Sequence, residues 1–391
     1  MKIDKTKWVK VSLGDVVAHS TESIDPNNGV VTRYVAGEHM ETDRFRISSW
    51  GDIGDGYLGP AFIRRFHVGQ VLYGSRRTYL RKLCVADFEG VCANTTFVLN
   101  TKDPQLLLQS YLPYVMTTEE FHSYSVRESK GSVNPYVNWS DIAKYKFSLP
   151  PISEQQSLCT LFRQLEDLLD KLEHTRLNAY AAVEILRDQI YKKSDYLPIR
   201  EIATIERGVS WSSSQQVSPK DGIPVLGIPN VKHGSLLVAD ITHITGVRES
   251  VIDSARVGLN SILMVGSNGN PERVGNVAMC GNAVKDYLPA SFLLHIRGKS
   301  ILKTRFLFEM LMSRSIQNQI TNVVEGSTGL KNLAITWVRE LPIPSLSDSD
   351  IEIFMEQIAI FKEAVDSLDE EILKIRGLSF KLRNILAGNQ L

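Results

Sequence analysis

The sequence predicts an α+β protein built from two similar mixed α/β modules, residues 1–149 and 195–344, each followed by a long helix, residues 150–194 and 345–391. Three observations predict this plan. Two apolar seams have heptad spacing, the modules share an ordered set of matching motifs, and each module contains short β-branched runs bounded by Gly, Asn and Pro.

Along the first helix, Leu158, Leu161, Leu165, Leu168 and Leu172 alternate spacings of three and four, and the phase continues through Thr175, Ala179, Ala182 and Leu186. A helix of about 40 residues is roughly 60 Å long, and so narrow a stripe needs a partner. The end of the chain supplies one in Ile351, Phe354, Ile358, Phe361, Val365, Leu368, Ile372, Ile375, Leu382 and Leu386. The matched lengths favour a mutual coiled coil over burial of each stripe on its nearest domain. Ser153 with Gln156 and Ser349 with Glu352 read as capping boxes behind proline-containing entries. Gly377 and Ser379 weaken the last third of the second helix and predict fraying or a bend, since an interior glycine costs about 1 kcal/mol against alanine.

The modules match in order. Leu13-Gly14-Asp15-Val16 corresponds to Ile199-Arg200-Glu201-Ile202, and the strand Val71-Leu72-Tyr73-Gly74-Ser75 to Ile262-Leu263-Met264-Val265-Gly266-Ser267. Thr96-Phe97-Val98-Leu99 corresponds to Ser291-Phe292-Leu293-Leu294, each before a helical pattern; Gly131-Ser132 and Trp139 then correspond to Gly326-Ser327 and Trp337. Each single match is weak, and their common order carries the inference of a repeat.

A chain of 391 residues exceeds what one core organises, and 43% hydrophobic with 23% charged residues is ordinary for globular protein. The opening MKIDKTKWVK lacks the apolar core of a signal peptide, and no apolar run is long enough to span a bilayer, so a cytoplasmic protein is expected. Cys84, Cys92, Cys159 and Cys280 form no C-x-x-C pair and no cysteine-histidine cluster, which argues for reduced thiols and against a metal site. Net charge is zero; Lys+Arg against Asp+Glu is 18 to 16 and 15 to 12 in the two modules, and 6 to 7 and 5 to 9 in the helical segments. The local patch sets the field a phosphate feels, so clustering counts for more than these totals.

No catalytic motif is found. Asn134-Pro135-Tyr136 resembles part of the N-P-P-Y/F signature of adenine methyltransferases, but the second proline is missing and a turn is the better reading. Gly51 to Gly56 is glycine-rich without a strand-then-helix context, there is no G-x-x-x-x-G-K-[ST] loop or H-E-x-x-H, and the eight histidines are scattered.

The order module, helix, module, helix is similar to that of the specificity subunit of Type I restriction-modification enzymes. The motifs that carry the resemblance are the L-P-P-I-S-E-Q-Q entry at Leu149–Gln156, the heptad helix behind it, the Leu-Gly-Asp-Val opening, and the exits at Gly131–Pro150 and Gly326–Pro344. The second entry, Leu341–Asp350, departs from the pattern, with no Glu-Gln after its prolines. The resemblance implies two target-recognition domains in a pseudo-two-fold arrangement, set in opposite orientations by an antiparallel helical pair, each reading half of a split target in double-stranded DNA. It implies a non-catalytic chain with no cofactor of its own, working with two methyltransferase subunits that carry S-adenosylmethionine and with restriction/translocase subunits that use ATP and Mg. It implies no membrane association.

In that light the best candidate reader is the set Arg64, Arg65, Arg76, Arg77, Arg81 and Lys82, six cations with no acid between Asp55 and Asp87, interleaved with Phe66, Tyr73 and Tyr79; Lys130 is a lesser candidate. Guanidinium forks grip phosphates or the O6/N7 edge of guanine. In the second module the matching loop offers Asn268, Asn270 and Arg273, with Lys331 after Gly326-Ser327-Thr328-Gly329; asparagine suits adenine N6/N7, although Asn and Gly also suit any tight turn. The loops differ, so the expected target is asymmetric. Two rival classes stay open: a self-contained methyltransferase or nuclease with degenerate motifs, and a coiled-coil scaffold without a DNA role.

Overall fold

The computed structural model describes residues 5–193, 195–259, 261–325 and 331–387. The chain divides into two compact units, Met1–Glu173 with Glu370–Leu391 and His174–Asp369, so each unit contains one module and parts of both long helices.

In the first unit the central sheet is antiparallel, in the order Val17–Ser20, Thr96–Thr101, Val71–Gly74, Leu83–Val85. The run Val71-Leu72-Tyr73 is apolar throughout and strand-favouring, a pattern stable only where both faces of the sheet are covered. Alternation across the pleat sends Val71 and Tyr73 into one cluster with Phe97 and Leu99, and Leu72 into another with Phe66, Cys84 and Val98. The second unit repeats the plan with Ala203–Arg207, Leu293–Gly298, Ile262–Val265 and Val277–Met279. A smaller sheet with one parallel pair, Tyr34 beside Val91 or Val225 beside Leu288, belongs to each unit.

The register corrects two of the sequence matches. Tyr73 lies opposite Phe97 and Met264 opposite Leu294, so Leu294, and not Phe292, is the counterpart of Phe97. A slip of two residues preserves a strand's in-out alternation, which is why the apolar pattern does not reveal it. Ile335, at the start of its helix, stands where Trp139 does, and Trp337 lies further along.

The long helices are Ile152–Lys193 and Asp348–Ala387, the second running through Gly377 without interruption. In the first unit Leu158, Phe162 and Leu165 pack with Ile375 and Leu382, and Arg376 reaches Glu173 at 2.6 Å. In the second unit Val183 and Leu186 pack with Ile351, Phe354, Ile358 and Phe361, and Arg176 meets Asp369 at 3.0 Å. The helices are therefore antiparallel within each unit. Among the seam positions Leu165, Phe354, Ile358, Val365 and Ile372 are buried, Leu158, Leu161, Leu172, Phe361 and Leu368 are half-buried, and Leu168 is 38% exposed. Phe162, outside the expected seam, is buried and stacks on Tyr114 at 4.4 Å. Each helix thus presents a stripe wider than a two-helix seam, shared between the other helix and the domain. The side chain of Leu386 lies outside the described residues.

The helix entries also differ from the capping boxes read in the sequence. At the first, the buried Gln155 donates from Nε2 to the Leu106 and Pro150 carbonyls and accepts from the Leu108 amide. At the second, Ser347 Oγ accepts from the Asp350 amide at 3.2 Å.

Two buried polar groups set stability in the second unit. Glu309, on the helix Ile301–Met312, accepts from Arg187 at 2.6 Å and from Lys362 at 2.5 Å, tying both long helices to the domain. Glu309→Gln should cost about 3 to 5 kcal/mol in chemical denaturation, because it leaves two cations without their shared carboxylate. His295, on a central strand opposite Leu263, is buried with neither ring nitrogen hydrogen-bonded. Burial, with Arg297 nearby, lowers its pKa from 6.5 to about 4. The unfolded chain therefore takes up a proton that the fold refuses, and stability falls as pH drops from about 6.5 to 4. His295→Val, copying Val98 of the first unit, should remove about 3 kcal/mol of that loss, measured by urea unfolding at pH 7.5 and 4.5.

Candidate nucleic-acid interface

The site of the first unit grows from the end of the core strand Val71–Gly74. Ser75 donates its amide to the Thr95 carbonyl at 3.3 Å and accepts from the Val137 amide at 2.9 Å. This pins the loop after the strand against the segment before the helix Trp139–Ile142. Arg77 then donates its amide to Pro135 at 2.6 Å, and both Arg76 and Lys130 bridge to Tyr136. Thr78–Leu80 form a single 3₁₀ turn flanked by Arg77 at φ 51° and Arg81 at φ 53°. Non-glycine residues in the left-handed region cost on the order of 1 kcal/mol or more and persist only where the surroundings hold them.

The result is a surface on which Arg76, Arg77, Tyr79, Val133 and Tyr136 are all exposed. Arg77 Nε donates to Asn134 Oδ1 at 2.9 Å, so the N-P-Y segment acts as a turn that orients this arginine. Lys130 joins the same surface but is ion-paired to Asp141 at 2.8 Å.

Arg65, Arg81 and Lys82 are turned to intramolecular use, and Arg64 is withdrawn from the surface. Arg65 lies between Glu22 at 3.2 Å and Glu89 at 3.1 Å, with His67 3.0 Å from Glu22. Arg81 pairs with Glu119 at 2.5 Å and Asp43 at 3.7 Å, and Lys82 donates to the Gly37 carbonyl. Arg64 is half-buried, with Nε and Nη1 sealed from solvent. A stretch free of acids in sequence is thus met by acids from elsewhere in the fold, which local charge counting does not see.

The second unit builds its loop on the same bonds. Gly266 donates to Phe292 at 2.9 Å and accepts from Leu333 at 2.8 Å, as Ser75 does with Thr95 and Val137. Beyond it Ser267–Asn268 pairs with Lys331–Asn332. Asn268 Oδ1 accepts from the Asn270 amide at 2.9 Å and Asn270 Oδ1 from the Glu272 amide at 3.0 Å, so both asparagines shape the turn through their carbonyl oxygens. Arg273 is half-buried at the end of this turn; the Lys331 side chain and Gly326–Gly329 lie outside the described residues. Three residues missed in the sequence join the surface: Asn332, Arg207 and Phe292. Arg207 donates to Asn332 Oδ1 and to the Ser291 carbonyl at 3.5 Å each, and Phe292 is 53% exposed where the first unit has Thr95. An exposed aromatic beside a strand start was the available signal.

Among the described residues no group of three or more His, Cys, Asp or Glu is arranged to hold a metal ion. The four cysteines are unpaired and buried, and burial pushes the Cys84, Cys92 and Cys280 thiols up to about 12, away from nucleophilic thiolate. None of the described helices is long and apolar enough to cross a membrane.

Residues 5–179 match the family model for the Type I restriction modification DNA specificity domain. The EcoDI specificity subunit of Escherichia coli is 26% identical over 188 residues, 48% of this chain and 40% of that protein. The MjaVIII specificity subunit of Methanocaldococcus jannaschii is 19% identical over 324 residues, 76% of this chain and 73% of that protein. The match thus spans less than half the length of the first of these relatives. A chain from a solved structure on complex assembly and conformational transition of the type I R-M system aligns with TM-score 0.65 and 15% identity over 97% of both chains. The S subunit of the Type-I restriction-modification system of M. genitalium aligns with TM-score 0.52 and 12% identity over 100% of this chain and 99% of that one. The fold is shared with both.

Arg76→Ala and Arg77→Ala should each weaken binding to a random duplex and lower the slope of log affinity against log salt by about 1 if that arginine holds a phosphate. Arg65→Ala, already neutralised within the protein, should leave both unchanged in the same fluorescence-anisotropy titration.

Proposed function

We propose, starting from a chain that carries a Type I restriction modification DNA specificity domain over residues 5–179 and the fold of Type I specificity subunits, that it is a non-catalytic reader of a bipartite, asymmetric DNA target. The observation that carries this reading is that one backbone scaffold holds two different surfaces. At Ser75 it presents Arg76, Arg77, Tyr79 and Tyr136; at Gly266 it presents Asn268, Asn270, Asn332 and Arg207. Arginine forks match guanine O6/N7, whereas amide groups match adenine N6/N7. Identical supports with unlike side chains are what two unlike half-sites require.

On this reading the chain modifies nothing itself. Two methyltransferase subunits supply S-adenosylmethionine chemistry, restriction/translocase subunits supply ATP- and Mg-dependent cleavage, and this chain sets where they act. Coupling two half-site readers in one chain converts two modest affinities into one strong one through effective concentration.

The experiment is selection from a random duplex pool by the chain together with its methyltransferase partner, followed by sequencing. A split motif with a fixed gap is expected, with Arg76→Ala plus Arg77→Ala relaxing one half and Asn268→Ala plus Asn332→Ala the other. Retained DNA with no motif, or both halves changing with either loop, would sink the reading.

A further inference from the structure

The two units place a buried arginine at equivalent points. The helices enter through equivalent bonds, Gln155 N to Pro151 O and Ile351 N to Ser347 O. Counted from there, Arg187 of the first helix corresponds to Arg383 of the second, and Glu166 to Lys362. On the domain side, Thr118 Oγ1 accepts from the Phe121 amide at 3.2 Å and Ser313 Oγ from the Ile316 amide at 3.4 Å. That correspondence makes Tyr114 the counterpart of Glu309.

In the second unit the trio is closed, with Arg187 and Lys362 sharing the Glu309 carboxylate. In the first unit a tyrosine stands where that carboxylate would be. Arg383 is only 9% exposed and its Nε is buried without a hydrogen-bond partner. Burial lowers its pKa, outweighing Asp43 and Glu166, which attract its guanidinium from nearby. A buried cation in that condition is costly to the fold.

Arg383 lines a cleft of about 680 Å³, together with Lys82, Tyr114, Glu166 and Phe380, a size that suits a small ligand. The other arginines on its wall are occupied: Arg44 by Asp170 and Glu173 at 3.0 and 2.9 Å, Arg46 by Asp167 at 2.8 Å, and Arg376 by Glu173 at 2.6 Å. Of the carboxyls there, Asp43 faces Arg81 at 3.7 Å. Burial pushes Glu166 up to about 7, against the pull of Tyr114, Arg383 and Arg46. Arg383 thus feels Asp43 and Glu166 without the direct ion pair that Arg187 makes with Glu309 in the second unit.

We infer that the Arg383 cleft binds a small carboxylic acid as its carboxylate, seated in the cleft beside Tyr114 and giving Arg383 the ion pair that Glu309 gives Arg187 in the second unit. Lys82 and Asp43 on its wall adjoin the Thr78–Leu80 turn, but the inference does not rest on the proposed DNA reading.

The test is calorimetric titration of the full-length chain with glutarate at constant ionic strength. One saturable site is expected, weakened about tenfold or more by Arg383→Gln, the scale of a charge-assisted hydrogen bond. The double substitution Tyr114→Glu with Glu166→Lys rebuilds the trio of the second unit while keeping Arg383. It should abolish glutarate binding and raise the thermal midpoint, so the test survives if Arg383→Gln does not fold. Absence of saturable binding to the wild-type chain, equal binding by both variants, or an equal response to inorganic phosphate or chloride would overturn the assignment.

Discussion

A pair of backbone hydrogen bonds beside a doubly buried strand fixes where the candidate surface sits in each unit. Ser75 is fixed from both sides by Thr95 and Val137, and Gly266 by Phe292 and Leu333. Both residues come directly after strands whose side chains are committed to core clusters on either face of a sheet. The strand has no freedom to rotate or slip, because a one-residue shift would turn every apolar side chain to the wrong cluster. The loop after the strand is therefore delivered to the surface at a fixed point, whatever its chemistry. That separation lets the first unit present arginine and tyrosine while the second presents asparagine.

The long helices and the repeat were legible in the sequence because both rest on spacing that a linear text preserves. Val71-Leu72-Tyr73 and Ile262-Leu263-Met264 could be matched as strands for the same reason. Spacing does not carry which distant residues meet. Arg65 and Arg81 read as a free cationic cluster until Glu22, Glu89, Asp43 and Glu119 arrive from other parts of the chain. Phe162 and Gln155 fell outside the heptad because the helix serves a domain as well as a second helix, and a single-seam template has no place for the extra face. Arg207 and Phe292 were overlooked for a related reason: each is ordinary in its own stretch and joins a surface only through Ser291 and Asn332.

The polar groups at the helix–domain junctions show a division of labour between similar parts. In the second unit the carboxylate comes from the domain and both cations from the helices; in the first, the carboxyl has moved to the helix as Glu166 and the domain offers a hydroxyl. The apolar packing around them is alike, with Phe162 and Ile358 both buried. Hydrophobic burial is thus common to both joints, whereas the polar trio differs between the units.

Arg77 and Arg81 hold left-handed backbone angles on either side of one short turn. That conformation is enforced by the bond from Arg77 to Pro135 and by the pairing of Arg81 with Glu119. The energetic cost of shaping the loop is thus met when the protein folds, and no ordering step remains for the moment of encounter. Under the proposed DNA-reading role, association with a charged duplex would then be paced by diffusion and electrostatic steering, with little contribution from loop rearrangement, so that a search along many sites would not wait at each one for the loop to assemble.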